Sequence, residues 1–121
     1  MDPREASVIQ LLPDPEKVKH MADDAFALSF ARIENHYFRN GGFFPEEGYL
    51  LKNAHRLHGI PGVIVHGRYD MVCPIKSSWM LKKAWPDAEL RIVPDAGHSV
   101  REPGTVHQLV DAMDGFRRLQ Y

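Results

Sequence analysis

The sequence is poor in three features that would assign it to a specialised class of protein. Its one cysteine, Cys73, excludes a disulfide within the chain, which is typical of a reducing compartment. No apolar run approaches the roughly 20 residues that a membrane-spanning helix needs, and residues 1–10 lack the basic and apolar regions of a signal peptide. The formal net charge is only -1, with both signs interspersed, which argues against a nucleic acid or an anionic membrane as partner. We therefore expect a cytoplasmic protein that binds neither nucleic acid nor membranes.

The 121 residues, of which 44% are hydrophobic, suffice for one modest domain with a small core. Apolar spacing, glycines and prolines predict the positions of the helices and strands. We expect a helix at about 15–39, a linker at 41–45, a helix near 46–58, a strand at 62–66, a helix at 75–85, a strand at 90–93 and a helix from about 103 onward. The β-branched run at 62–66 is typical of a strand buried on both faces, and the helix after it has the length of a crossover. The pattern predicts an α/β fold with two parallel strands.

Asp70 and His98 come just after the two predicted strands, and both are of residue types that commonly act as acid or base in catalysis. Because the carboxyl ends of parallel strands meet at one edge of a sheet, we expect these side chains to lie within hydrogen-bonding reach. A carboxylate that accepts the Nδ1–H of an imidazole leaves Nε2 able to deprotonate a nucleophile. The alternative is that Asp70 caps the helix starting near Pro74 and that His98 is an ordinary loop residue. For either residue taken singly, the alternative is the favoured interpretation.

Three blocks of sequence carry a more specific resemblance. The blocks are Ala31-Arg-Ile-Glu-Asn-His-Tyr-Phe38 with the following Gly-Gly-Phe-Phe44, His66-Gly-Arg-Tyr-Asp-Met-Val-Cys-Pro74, and Ala96-Gly-His-Ser99 with Glu102-Pro103. Together they resemble the closing portion of an α/β-hydrolase, and more narrowly a proline iminopeptidase, a serine aminopeptidase that removes N-terminal proline from peptides. The resemblance implies the C-terminal part of an α/β-hydrolase fold: a helical cap portion at 1–58, then a β-α-β-α unit of the hydrolase core at 59–121.

By this resemblance Asp70 is the acid and His98 the base of a catalytic triad, in the chain order Ser, Asp, His of the fold. None of the five serines lies in the Gly-x-Ser-x-Gly turn that carries the nucleophile in such enzymes. We therefore expect the isolated chain to be inactive, and its uncovered sheet edges predict that it is unstable or self-associates. The alternative is a truncated, non-catalytic relic that acts, if at all, as an interaction module.

Three further residues match substrate-binding positions of the family. Glu34 matches a glutamate that binds the terminal amine of the peptide, and Glu5 resembles a second one, although Arg4 precedes it where the family has tryptophan. Cys73 matches a cysteine near the active site that thiol reagents reach. Without the resemblance, glutamates at such positions are typical of a solvated surface, and Cys73 fits a buried structural cysteine as well as a reactive thiol at a helix start.

The reaction implied by the resemblance needs no metal and no organic cofactor, so we expect none, and the expected partner is a peptide with an N-terminal proline. A metal site is the rival chemistry, because His55 and His58 share one face of a predicted helix. No third ligand follows at a diagnostic spacing. Surface histidines are therefore the favoured interpretation.

Overall fold

The computed structural model describes residues 11, 15–16 and 24–119 of the chain. Within these residues lie the helices α1 (Asp24–Arg39), α2 (Tyr49–Lys52), α3 (Ile75–Ala84) and α4 (Pro103–Arg117), and the strands β1 (Gly62–Gly67) and β2 (Ala88–Val93). Two short 3-10 turns, Gly41–Phe43 and Ala54–Leu57, flank α2. None of the helices in this part of the chain is long and apolar enough to span a bilayer. The order of the elements confirms the predicted α/β class.

Helix α1 ends at the predicted residue because of the backbone that follows it. Gly41 and Gly42 have φ angles of 55° and 65°, in the left-handed region that side chains disfavour and that commonly terminates helices. Asn40 donates a side-chain hydrogen bond of 2.8 Å to the carbonyl of His36, one of the carbonyls that a helix end leaves unpaired. The predicted start of this helix, near residue 15, is separated from α1 by residues 17–23, which lie outside the described part.

The prediction of one helix over 46–58 is wrong, since the structure has the short helix α2 and a separate 3-10 turn there. Gly48 has a left-handed backbone, with φ of 71°, so the helix begins only at Tyr49. Asn53 then donates a side-chain hydrogen bond of 2.8 Å to the carbonyl of Tyr49, while its own φ and ψ of -98° and 4° leave the helical region. This local hydrogen bond competes with continuation of the helix.

The two strands pair in parallel, with Gly62 opposite Ala88 and Gly67 opposite Val93, and α3 forms the crossover between them. Strand β2 begins at Ala88 rather than at the predicted residue 90, because the buried methyl group of Ala88 pairs with Gly62. Trp85 closes this end of the sheet. Its ring lies over Gly62 so closely that a Cβ there would come within 2.1 Å of the indole, and its Nε1–H donates to the carbonyl of Ile60 at 2.9 Å.

The best-buried part of the described fold lies near the carboxyl ends of the strands. Helices α3 and α4 each contact both strands, and Arg91 of β2 forms an ion pair of 2.7 Å with Asp111 of α4. The buried apolar residues are all small or medium in size, namely Ala54, Ala88, Val93, Ala96 and Ala112. Ala96, with no exposed surface, sits in the loop directly after β2. Buried residues, Ala96 and Ser99, therefore flank the loop position of His98.

Candidate active site

The loops that follow the two strands are joined through their backbones. Tyr69 donates its N–H to the carbonyl of Ala96 at 3.0 Å. Gly67, the last residue of β1, lies so close to the second loop that a Cβ would come within 1.9 Å of the carbonyl oxygen of Gly97. Only glycine permits this approach, so the sequence at the end of β1 fixes how near the two loops lie.

The two carboxylate oxygens of Asp70 accept hydrogen bonds from different groups. Its Oδ1 accepts the backbone N–H groups of Val72 and Cys73, at 2.9 and 2.8 Å. Its Oδ2 accepts a hydrogen bond of 2.9 Å from Nδ1 of His98. The hydrogen bond expected between acid and imidazole is thus present, and Asp70 also holds a turn, although that turn precedes Pro74 and α3 rather than forming the first turn of the helix.

The Asp70 side chain is only 7% exposed, yet its pKa is lowered. Burial acts in the opposite direction and raises the pKa, because it disfavours the charged carboxylate. Four effects lower the pKa and together outweigh burial. They are the hydrogen bonds from the Cys73 N–H, from His98 and from the Val72 N–H, and the charge of His98. Asp70 is therefore a buried carboxylate that stays ionised at neutral pH.

His98 is the most accessible member of this pair, with 37% of its side chain exposed. Because an ionised carboxylate can only accept, Nδ1 must carry the proton that it shares with Asp70. In the neutral ring Nε2 then has a free lone pair, and within the described residues no hydrogen bond to that nitrogen is present at His98. This is the protonation pattern of a general base whose orientation is fixed by an acid.

A cleft of about 350 Å³ opens beside the pair. Its walls include His98, Asp70, Cys73, Val100 and Thr105. The buried hydroxyl of Thr105 has no hydrogen-bond partner within the described residues. The cleft therefore places polar groups next to an imidazole that can take up a proton.

Sequence reasoning missed His66, which lies next to Asp70 and binds the turn that follows it. Its Nε2–H donates to the carbonyl of Cys73 at 3.1 Å and lies 3.6 Å from Oδ2 of Asp70. In the neutral ring its Nδ1 therefore accepts the hydroxyl proton of Ser78, at 2.7 Å. The side chain is 10% exposed, so it connects strand, loop and α3 in the interior. The signal that could have revealed it is a histidine interrupting the apolar run of β1.

Glu102 is the second residue that sequence reasoning missed as a side chain of the site. It is only 5% exposed, and its Oε1 accepts the N–H of Gly97, the residue before His98, at 2.8 Å. Its Oε2 accepts the N–H of Leu11 at 3.0 Å. Glu102 is the N-cap residue of α4, yet its side chain makes no capping bond to that helix. The glutamate before a helix-starting proline was the available signal, because N-caps are usually Ser, Thr, Asp or Asn.

The remaining predicted site residues are not all brought together. Cys73 is exposed and lines the cleft beside Asp70 and His98. Glu34 is exposed on α1, which among the described elements contacts only the turn Gly41–Phe43, so the structure does not bring it to the pair. It lines a separate cleft of about 310 Å³ with aromatic neighbours such as Tyr37, and forms no ion pair within the described residues. Glu5 lies outside the described residues.

The two histidines considered as metal ligands have other partners. The Nδ1–H of His55 donates to the carbonyl of Lys52 at 3.0 Å, and the Nε2–H of His58 donates to that of Ala84 at 3.2 Å. Across the described ranges, no group of three or more His, Cys, Asp or Glu side chains is arranged to hold a metal ion. The structure thus lends no support to a metal site at His55 and His58.

Fold and site together define the class of protein. A β-α-β-α unit with an acid after the first strand and a histidine after the second matches the end of a hydrolase sheet. The family model described as the alpha/beta hydrolase fold matches residues 12–104. The chain belongs to the α/β-hydrolase fold family.

Within that family the chain is similar to proteins named proline iminopeptidase. The protein of that name from Xanthomonas citri is 61% identical over 103 residues, which cover 85% of this chain and 33% of that protein. The Arabidopsis thaliana protein of that name is 53% identical over 109 residues, covering 90% of this chain and 29% of its own length. That from Neisseria gonorrhoeae is 46% identical over 102 residues, or 84% and 32%. The chain spans about a third of the length of the curated relatives it matches.

Proposed function

We propose that this chain carries the acid and base of a serine aminopeptidase that releases N-terminal proline from peptides. The observation that carries the proposal is the hydrogen bond of 2.9 Å between Oδ2 of the buried Asp70 and Nδ1 of His98. It supplies an imidazole oriented by an ionised acid, with Nε2 next to a cleft. Similarity to relatives named proline iminopeptidase supports proline as the residue released.

The proposed chemistry assigns one proton path to this pair. The hydroxyl proton of a serine moves to Nε2 of His98 while the serine oxygen attacks the carbonyl carbon of the N-terminal proline. Asp70 stabilises the resulting imidazolium, which gives the proton to the leaving nitrogen as the C–N bond breaks. Water, deprotonated by the same Nε2, then hydrolyses the prolyl ester and releases proline. The nucleophile must be a serine in a Gly-x-Ser-x-Gly turn, which these 121 residues do not contain.

Substrate binding is proposed to involve three residues. Glu34 and Glu5 would hold the protonated terminal amine, because carboxylates form strong hydrogen bonds to a cation in a partly desolvated pocket. The aromatic neighbours of Glu34 offer apolar surface for a proline ring. Cys73 would lie along the substrate, since it lines the cleft beside His98.

The proposal also includes the division of the chain and its location. Residues 1–58 are proposed to form a helical cap portion and residues 59–121 the closing part of the hydrolase core. In support, α1 makes no contact with the sheet in the described residues, whereas α3 and α4 contact both strands. A cytoplasmic location is proposed from the single cysteine.

The second candidate function is a non-catalytic relic that acts as an interaction module. The observation in its favour is that the sequence holds no Gly-x-Ser-x-Gly segment, and that Ser78 is hydrogen-bonded to His66. Sequencing the DNA upstream of the Met1 codon and translating all frames separates the two candidates. A Gly-x-Ser-x-Gly segment after a strand pattern supports the peptidase, whereas unrelated sequence behind a genuine promoter and start site supports the relic.

Activity is tested with proline arylamide and, as controls, the alanine and leucine arylamides. If the upstream frame supplies a serine turn, the protein translated from the whole frame is expected to release arylamine from the proline substrate preferentially. The 121-residue chain is expected to match buffer. A serine-bearing protein that prefers another N-terminal residue would contradict proline release, and one that hydrolyses none of the three would contradict the aminopeptidase.

A further inference from the structure

The carboxylate of Glu102 is buried, and its hydrogen-bond partners among the described residues are backbone N–H groups. Its oxygens accept N–H groups from Gly97 and Leu11, at 2.8 and 3.0 Å, and within the described residues no cationic side chain forms an ion pair with it. Burying a charge is costly unless hydrogen bonds compensate for the lost water. A leucine at this position would avoid that cost, so the charged group needs an explanation other than packing.

Glu102 holds the loop of His98 on both sides of the histidine. Its side chain binds the N–H of Gly97, which precedes His98, and its own backbone N–H donates to the carbonyl of Ser99, which follows, at 3.2 Å. The loop from 97 to 102 is thereby closed on itself. Gly97 also lies against Gly67 at the end of β1, so Glu102 binds this loop at the point where the two site loops meet.

We propose that Glu102 is a positioning residue whose buried carboxylate keeps Nδ1 of His98 on Oδ2 of Asp70. The hydrogen bond from Gly97 fixes the backbone one residue before the imidazole, where a small shift would move the ring. Catalytic constellations need their groups held within about 0.5 Å, and a misplacement of about 1 Å is enough to lower rates about a hundredfold. The effect on rate rests on the proposed function, whereas the effect on the His98 ring does not.

The test uses the 121-residue chain and heteronuclear NMR. The ¹⁵N shifts of the His98 ring report which nitrogen carries the proton, and hydrogen exchange reports the protection of the Gly97 and Leu11 amides. Glu102→Ala removes both acceptors, so the ring is expected to lose its preference for the Nδ1–H tautomer. The Gly97 amide is expected to exchange about 10- to 100-fold faster, the range for a lost hydrogen bond to a charged group.

Glu102→Gln provides the rescue. Its carbonyl oxygen can still accept the Gly97 N–H, but its NH₂ group cannot accept the Leu11 N–H. We expect the Nδ1–H tautomer of His98 and the protection of Gly97 to survive, while the Leu11 amide exchanges faster. The matched control is Glu89→Ala, which removes an exposed glutamate that contacts Arg91 near the opposite end of β2 and is expected to leave His98 unchanged.

The outcomes separate positioning from general support of the fold. Loss of the tautomer in Glu102→Ala with rescue in Glu102→Gln supports the proposal. An unchanged His98 ring in folded Glu102→Ala, or a ring disturbed equally in Glu102→Gln, overturns it. If Glu102→Ala does not fold, Glu102→Asp replaces it in the test. Asp keeps the charge but is one methylene too short to reach both amides, so this variant is expected to lose the Nδ1–H tautomer of His98. An unchanged His98 ring in Glu102→Asp overturns the proposal. None of these readouts involves hydrolysis, so a failure of the proposed aminopeptidase activity is a separate result.

Discussion

Replacing Asp70 with asparagine tests the pairing of acid and base with a minimal change in shape. The amide oxygen can still accept the N–H groups of Val72 and Cys73 that Oδ1 now binds. The NH₂ group then faces Nδ1 of His98 and can only donate, so Nδ1 must become an acceptor and the proton must move to Nε2. The variant is therefore expected to hold His98 in the tautomer that cannot take a proton from a serine.

The magnitude follows from the hydrogen bonds that change. Asp70→Asn converts bonds to a charged acceptor, each worth about 1.5–3 kcal/mol, into neutral bonds worth about 0.5–1.5 kcal/mol. His98 is partly exposed, so water weakens its hydrogen bond to Asp70 and the full difference is not expected. We expect the free energy of unfolding to fall by about 1–3 kcal/mol in total. In a serine-bearing protein the wrong tautomer is expected to lower kcat about 10⁴-fold, as in serine proteases.

The pH dependence has a defined sign. The pKa of Asp70 is lower in the folded chain than its usual value near 4, so the carboxylate stabilises the fold fully above that value and loses its contribution as pH falls through the lowered pKa. The share of the difference in unfolding free energy between the parent chain and Asp70→Asn that comes from ionisation of this carboxylate is therefore constant above about pH 5 and shrinks below about pH 4.

The assay combines urea unfolding across pH with ¹⁵N shifts of the His98 ring. Asp87→Asn is the matched control, because the Asp87 carboxylate also accepts a backbone N–H, from Gly59 at 2.8 Å, but does not contact His98. The reasoning is refuted if Asp70→Asn leaves the Nδ1–H tautomer in place, or if its effect on stability is the same at pH 3 as at pH 7.

Four further predictions have defined outcomes. Gly67→Ala forces a Cβ against the carbonyl of Gly97 and is expected to lower the free energy of unfolding in urea by close to the upper end of about 1–3 kcal/mol. The control Gly115→Ala, with no atom within 4 Å of the added Cβ, is expected to stabilise α4 by about 0.5–1 kcal/mol. An equal effect of both would contradict the close loop contact. In a serine-bearing protein Glu34→Gln is expected to raise KM for proline arylamide about 10-fold or more with kcat little changed, and a fall in kcat alone would argue against amine binding. Cys73 is expected to react with a maleimide in the native chain and to shift the His98 ring resonances; protection from labelling, read by mass spectrometry, would contradict its exposure. Light scattering is expected to show an average molar mass that grows with protein concentration, because large apolar side chains such as Met113 and Leu50 are 67% and 64% exposed. A sharp, concentration-independent monomeric unfolding transition would count against self-association.

The strand and crossover pattern could be predicted because its signals are local. The β-branched run of β1, the helix of crossover length and the proline that begins α4 each favour one kind of backbone, and the structure has them. The extent of α2 could not be predicted from its apolar stripe. The left-handed Gly48 and the side-chain hydrogen bond of Asn53 interrupt that stripe, and both depend on backbone geometry that periodicity does not report.

The pairing of Asp70 with His98 could be predicted because both residues follow strands at one sheet edge. His66 and Glu102 could not, because their importance depends on hydrogen bonds between segments distant in the chain. Asp70 does not cap α3, because its Oδ1 holds the turn at Val72 and Cys73 and the helix has no side-chain cap. Its Oδ2 makes the contact with His98 that the proposed triad acid requires.

The most direct test of the central claim compares two histidine variants of the serine-bearing protein that contains these residues. His98→Ala removes the proposed base, and His107→Ala removes an exposed histidine on α4. The account predicts that His98→Ala lowers kcat for proline arylamide by several orders of magnitude while His107→Ala stays within about twofold of the parent. Equal activity of the two variants would contradict the assignment of His98 as the base.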